Sequence, residues 1–313
     1  MATVLTQLSI SSYSLREQLG PISIAFTDAN GAEQTYAQDF PKLLDITEFP
    51  ARAARTYAVT GVEAVAFQFT GLDDDRLDAF AAEARDAGLA LVNVAVDVGD
   101  LAQTDPARLA ADVAELKRWI ARCADLGFRF VRVNAGSPFS AQHDDVPPAH
   151  LIDALTELGA FASERGIRLL VENHGGPSSD PVWMNALLDG VGPDGPGLLL
   201  DLGNFDALLQ PLMAALFAEP GTAAADPFAG LDLTSLYDGI DALAARAELV
   251  HVKAHHVGQD GTVGPIDLPR ALGILDRHGY CGPLTIEYEG TGGDPWVHTG
   301  HVVDLTSTTV PAS

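Results

Sequence analysis

The chain has 313 residues, of which 47% are hydrophobic and 19% charged, the balance of a globular protein long enough to bury a sizeable core. Its 18 Lys and Arg face 43 Asp and Glu, a net charge of −25 without a concentrated basic patch, which argues against nucleic acid as a partner because phosphates are gripped by Lys and Arg. Cys123 and Cys281 show neither a CxxC spacing nor a framework pattern, MATVLTQLSISS lacks the regions of a leader peptide, and no apolar run approaches the ~18 residues of a membrane span, so a cytoplasmic location with reduced, packed thiols is expected.

In chain order, short apolar or β-branched runs alternate with longer segments of helical period. The first strand is expected over Gln7–Tyr13; a connection of roughly 19–39 then leads to a helix over Phe40–Tyr57. Strand Gly61–Phe69 precedes helix Asp75–Ala87, Ala90–Val96 precedes Pro106–Leu126, Phe130–Asn134 precedes Ala149–Arg165, and Arg168–Glu172 precedes Pro181–Leu188. Strand Leu198–Asp201 runs through a second long connection, roughly 210–232, to a helix over Leu233–Ala247. Leu249–Lys253 with Leu268–His278, and Pro283–Tyr288 with Pro295–Asp304, complete eight rounds. Gly88, Gly127, Gly166 and Gly279 stand where a left-handed residue closes a helix, and Asp105 and Asp180, each followed by proline, read as N-caps.

Eight such rounds fit a (β/α)₈ barrel or an open doubly wound sheet. No GxGxxG opens the first unit, and the polar residues recur at the ends of the fourth to eighth strands rather than at one switch point, which selects the barrel. Residues 1–308 are expected to form this one domain, with 309–313, the end of STTVPAS, as a disordered tail. The two long connections are read as lids over the catalytic face or as extra surface helices in an oligomer contact.

Four consecutive apolar strands end on groups that bind a cation: LLVENH on Glu172, LLLDLGN on Asp201, LVHVKAHH on His251 and LTIEYEG on Glu287. Strand alternation lets all four point into the barrel mouth together. Three carboxylates and one imidazole suit Mn²⁺ best, with Mg²⁺, Co²⁺ and Zn²⁺ also compatible. Around them, His174 shares parity with Glu172 and is either a base or a structural residue. Lys253 faces inward, toward an enediolate, a sugar hydroxyl or a barrel carboxylate. His255 or His256 is expected to touch substrate, as are Arg132 and Asn134, which share one strand face. Glu289 and Asn204 are expected to orient ligands, and His143 to be exposed. Arg16 and Arg132 are the candidates for holding a single phosphate. Trp119, Trp183 and Trp296 fall in helices and read as packing residues.

The runs ENHGG, DLGN, VHVKAH and IEYEG with its following Asp294-Pro295 resemble the sugar phosphate isomerase/epimerase group of xylose-isomerase-like barrels, and the resemblance covers nearly the whole chain. It implies one metal on Glu172, Asp201, His251 and Glu287, and gives Glu172 and Glu287 an acid/base role on opposite faces of a ketose. The many His ligands of the related DNA-repair endonuclease are missing. The group also contains dehydratases and the metal-bearing subunit of C-glycoside deglycosidases. There the resemblance implies a lyase in which His174 removes the proton α to a 3-keto group, working beside a small second subunit. The expected partner is therefore a small sugar or glycoside, with a homo-oligomer or a second subunit possible.

A cation that bridges a carbonyl and its neighbouring hydroxyl stabilises the charge left when a base removes the adjacent proton. Returning that proton gives isomerisation or epimerisation, and expelling a β-substituent gives elimination, so the ligand set leaves the reaction open.

Overall fold

The computed structural model describes residues 7–27, 32–136, 144–216 and 227–310; His143 and the final 311–313 lie outside them. The barrel strands are β1 (Leu8–Ser11), β2 (Gly61–Val65), β3 (Ala90–Val96), β4 (Phe130–Asn134), β5 (Arg168–Glu172), β6 (Gly197–Asp201), β7 (Ala247–Ala254) and β8 (Leu284–Tyr288). Each pairs in parallel with the next, and β8 pairs with β1, so the ring closes without an edge. The helices are α1 (Phe49–Thr56), α2 (Asp75–Asp86), α3 (Pro106–Asp125), α4 (Ala149–Ser163), α5 (Pro181–Val191), α6 (Asp206–Leu216), α7 (Thr234–Leu243), α8 (Leu268–Arg277) and α9 (Pro295–Thr309). None of the described helices is long and apolar enough to cross a membrane.

Two apolar masses hold the barrel. One lies between strands and helices and includes the stacked rings of Phe49 and Phe80, 6.1 Å apart. The other is an internal plug of Val92, Phe130, Leu170, Leu199 and Leu249 near the N-terminal ends of their strands. Above the plug the inward positions turn polar, which leaves a polar cup at the C-terminal ends. Helix punctuation matches the sequence: Gly88, Gly127, Gly166 and Gly279 have φ of +75, +78, +70 and +73°, and Asp105 and Asp180 cap α3 and α5.

Several expectations are corrected. The first strand stops at Ser11, whose hydroxyl accepts the Tyr13 N–H at 3.2 Å and turns the chain into a 3-10 helix over Ser12–Gln18. Gly61–Phe69 is strand only to Val65, and a 3-10 turn over Ala66–Gln68 follows. The helix expected from Phe40 starts at Phe49, behind a capping box formed by Asp45 and Glu48 on a preceding 3-10 turn. The 19–39 connection holds an antiparallel hairpin, Ile22–Thr27 against Glu33–Gln38, in place of a surface helix; its short alternating runs suit a half-exposed ribbon. The 210–232 connection begins inside α6.

The C-terminal helix runs to Thr309 rather than ending at Asp304, because the hydroxyls of Thr306, Ser307, Thr308 and Thr309 bond to carbonyls one turn back. Thr306 is also fully buried, so the polar stretch read as a tail is docked helix through Thr309. Cys123 is buried, but Cys281 is exposed and does not pack.

Candidate metal centre

The four strand-end residues meet in the cup. Barrel register sets Asp201 beside His251, His251 beside Thr285 and Lys253 beside Glu287; Glu172 lies beside Asn134. Residues paired in a parallel ladder point the same way, so these side chains enter the cup together. His251 Nδ1 lies 3.6 Å from Glu172 Oε1, 3.5 Å from Asp201 Oδ2 and 3.4 Å from Glu287 Oε2. It is buried and has no hydrogen-bond partner among the described residues. Donors held at about 2.1 Å from one cation stand roughly 3.0–3.5 Å from each other, so the orphaned nitrogen and its three carboxylates fit a single divalent ion.

Each candidate ligand is held from behind. Glu172 accepts from Asn204 Nδ2 at 3.2 Å and pairs with Arg132 Nε at 2.7 Å. Asp201 Oδ1 accepts the Gly203 N–H at 2.7 Å. The Asn173 side chain bonds both to the Asp201 carbonyl, at 2.9 Å, and to its N–H, at 2.8 Å, clamping the end of β6 to the loop after β5. Lys253 Nζ lies 2.6 Å from Glu287 Oε2, 3.0 Å from Asp201 Oδ2 and 2.9 Å from Glu289 Oε1.

Burial raises the carboxyls of Glu172, Asp201 and Glu287, and the neighbours decide the net direction. For Glu172, burial is outweighed by Arg132, His174 and His251, which hold it below the usual range. Glu287 is held well below by Lys253 and His251 against burial, whereas Asp201 stays raised by burial despite the same two cations. Burial pushes the His251 imidazole down, but Glu63 and Glu287 lift it well above its ordinary value. A donor set that gathers protons in this way releases them when a cation binds.

The remaining expected residues divide. Arg132 reaches Asp97 at 2.5 Å and Asn134 Oδ1 at 2.8 Å, and Asn134 Nδ2 donates to Asp97 at 3.0 Å. Arg16 donates to the carbonyls of Tyr288, Glu289 and Gly290 at 3.1, 2.6 and 3.0 Å. Both guanidinium groups already hold partners: Arg132 binds carboxylates and an amide through Nε and Nη1, and Arg16 binds the backbone at the end of β8. His255 is buried with Nδ1 3.6 Å from Glu289 Oε2, and burial lowers its pKa to about 4, so the ring is neutral. His256 lies beyond the end of β7, in a two-residue strand paired antiparallel with Val263–Gly264, and is exposed. His174 follows β5 in a loop fixed by Ser178, which accepts its N–H at 2.8 Å, and its buried Nδ1 has no partner among the described residues. Trp119, Trp183 and Trp296 are buried packing residues.

Three contributors escaped the sequence reading. Glu63 faces His251 Nε2, and its signal was a lone acid within the apolar run GVEAV. Asp97 ends LVNVAVD as Asp201 ends LLLD. Asn173 stood inside the motif but was passed over. A groove of about 420 Å³ lined by Arg168, Arg246 and Glu248 lies at the opposite, N-terminal end of the barrel and contains none of the candidate residues.

A family described as the xylose isomerase-like TIM barrel matches residues 51–302. No curated protein matches the sequence. Among solved structures, an L-ribulose 3-epimerase superposes with a TM-score of 0.65 at 18% identity, covering 98% of this chain and 95% of its own. A 3-keto-D-glucoside 4-epimerase from E. coli superposes with a TM-score of 0.61 at 13% identity, covering 84% and 94%. A xylose isomerase-like TIM barrel protein from Mycobacterium smegmatis, in complex with magnesium, gives a TM-score of 0.59 at 16% identity, covering 99% and 100%. At these identities the likeness is one of fold.

Proposed function

The chain belongs to the xylose isomerase-like TIM barrel family, and from that premise we propose that it is a divalent-metal-dependent isomerase or epimerase of an unphosphorylated sugar. It removes a proton beside a carbonyl through an enediolate. The observation that carries this reading is the convergence of Glu172, Asp201 and Glu287 on the unpartnered Nδ1 of His251. Neighbours named as sugar epimerases, and one holding magnesium, support the class.

These four side chains would hold a divalent cation, Mn²⁺ by the mixture of oxygen and imidazole donors, which would supply Lewis-acid stabilisation of the charge that develops beside a carbonyl. Glu172 and Glu287 enter from β5 and β8, on opposite sides of the cup, and their neighbours keep both ionised. One carboxylate takes the C–H proton and returns it to the adjacent carbon in isomerisation; in epimerisation the opposite carboxyl, after taking up a proton from solvent, gives that proton to the same carbon on the other face. The Lys253 ammonium stands beside the oxygens where negative charge develops, and the neutral His255 offers a hydrogen bond to a sugar hydroxyl.

The placement of the cations favours a neutral substrate. Arg16, Arg132 and Lys253 are all engaged, and residues 28–31, 137–143 and 217–226 contain neither Lys nor Arg. The Mn²⁺-loaded protein, incubated in D₂O with free ketoses and their phosphates, is expected to place deuterium on a carbon beside the carbonyl of a free ketose. Glu287→Gln should abolish that exchange. Absence of exchange with every ketose in the panel would exclude the isomerase and epimerase readings together.

The buried, unpartnered Nδ1 of His174 supports a second reading: a lyase acting on 3-oxo-glycosides or a dehydratase, with His174 as base and a small second subunit as partner. Such an enzyme releases an aglycone or water, and His174→Gln removes turnover while leaving the metal in place.

A further inference from the structure

The imidazole of His251 has a second nitrogen, and what faces it is assigned no role by the strand-end pattern. Glu63, in the middle of β2 and fully buried, lies across the barrel from the carboxylates. Its Oε1 and Oε2 stand 3.0 and 3.1 Å from His251 Nε2, the second in hydrogen-bonding geometry. Among the described residues this is its one hydrogen-bond partner. Asn93, its register neighbour on β3, leaves both amide atoms unpaired.

A carboxylate buried on a single contact is costly for folding, so stability alone does not account for it. We propose that Glu63 is a positioning residue for the metal centre: by accepting the Nε2–H of His251 it fixes the tautomer whose Nδ1 lone pair faces Glu172, Asp201 and Glu287.

The geometry distinguishes this role from direct ligation. Glu63, His251 and Glu287 are close enough together to form a candidate ligand group of their own. A cation on Nε2 would have to lie along the line already taken by Glu63 Oε2, about 2.1 Å from the nitrogen and far too close to that oxygen. Nδ1 has no such obstruction. An imidazole whose outer N–H is held by a carboxylate keeps its ring orientation and becomes a stronger donor through the inner nitrogen, an arrangement typically worth 10- to 100-fold in metal affinity. A lone acid five strands earlier in the chain thus acts on the metal site through the histidine.

This inference rests on the metal-centre reading, and titration of full-length apoprotein with Mn²⁺ by calorimetry separates the two. Wild type is expected to bind one Mn²⁺, and Glu63→Leu to bind roughly 10- to 100-fold more weakly while its apoprotein unfolds at the same temperature or higher. Glu63→Gln, whose amide oxygen accepts the same N–H, should recover most of the affinity. Equal affinity in wild type and Glu63→Leu would overturn the inference and leave the metal centre standing. Loss of binding in Glu63→Gln as severe as in Glu63→Leu would also overturn it, because the carboxylate would then act by charge or as a ligand. No Mn²⁺ binding by wild type would overturn both. Should Glu63→Leu fail to fold, two-bond ¹H–¹⁵N spectra of the Zn²⁺-loaded wild type decide: a protonated Nε2 on His251 supports the role, and a protonated Nδ1 refutes it.

Discussion

Arg132 shows how much a single buried side chain can carry in this cup. Its guanidinium joins Asp97 to the candidate ligand Glu172 and also holds Asn134, so its removal strands two largely buried carboxylates. Breaking a buried ion pair from one side costs about 3–5 kcal/mol. Arg132→Leu should therefore lower the unfolding free energy of the metal-free protein by about that amount, as read from urea denaturation in EDTA. Arg132→Lys should recover only part, because a single ammonium cannot reproduce the planar fork. A loss under about 1 kcal/mol in Arg132→Leu would mean that the two carboxylates are better solvated than this geometry allows. Positions at this scale were readable where an acid stands at or next to the end of an apolar strand, as Glu172, Asp201 and Glu287 do. They were hidden where the partner came from a distant strand. Arg132 could be placed on an inner face from its alternation with Asn134, but its commitment to Asp97 depends on which strand the barrel sets beside it.

At the scale of elements, helix ends were the most legible feature and loop interiors the least. The capping box before α1 illustrates the energetics: Asp45 Oδ1 accepts the Thr47 N–H at 3.1 Å, and Glu48 returns a bond to the Asp45 N–H at 3.1 Å. Lys42, 2.7 Å away, and the Thr47 hydrogen bonds hold the Asp45 carboxyl down at about 2, against the rise from burial. A carboxyl whose folded pKa lies below its unfolded value contributes stability that is complete above the unfolded value and is lost as pH falls through the folded one. Asp45→Ala should accordingly cost about 1 kcal/mol at neutral pH, and the difference should narrow as pH falls from about 4 toward about 2, which denaturation curves across that range would measure. A pH-independent difference would assign the effect to packing. The hairpin of Ile22–Thr27 and Glu33–Gln38 and the early start of α6 were missed for a common reason: a period-two run of six residues and a short helix carrying Pro211 both look like irregular connection when no neighbour is visible to receive them.

For the whole molecule, net charge and the cup act together. The chain carries −25, and the cup concentrates Glu63, Asp97, Glu172, Asp201, Glu287 and Glu289 against Arg132 and Lys253, so a divalent cation relieves repulsion at its densest point. A ligand that binds only the folded state stabilises it by about 2.7 kcal/mol at a free concentration a hundred times its Kd. Mn²⁺ should therefore raise the melting temperature of EDTA-treated protein by several degrees in a thermal scan, and Asp201→Asn should remove most of that rise. A rise of equal size in the variant would place the bound ion elsewhere on the acidic surface.

The eight-fold alternation, the glycines and capping aspartates at helix ends, and the acids and imidazole closing four apolar strands were all present in the one-dimensional pattern, because each reports a local physical requirement: backbone period, left-handed φ, or a polar group where a strand leaves the core. The pattern could not say that Nδ1 of His251 is the nitrogen facing the carboxylates, that Glu63 stands behind it, or that Arg16 and Arg132 are already spent on partners. Those facts depend on barrel closure and inter-strand register, which bring residues as far apart as Glu63 and His251 within 3.0 Å; only the folded ring sets which side chains share that space.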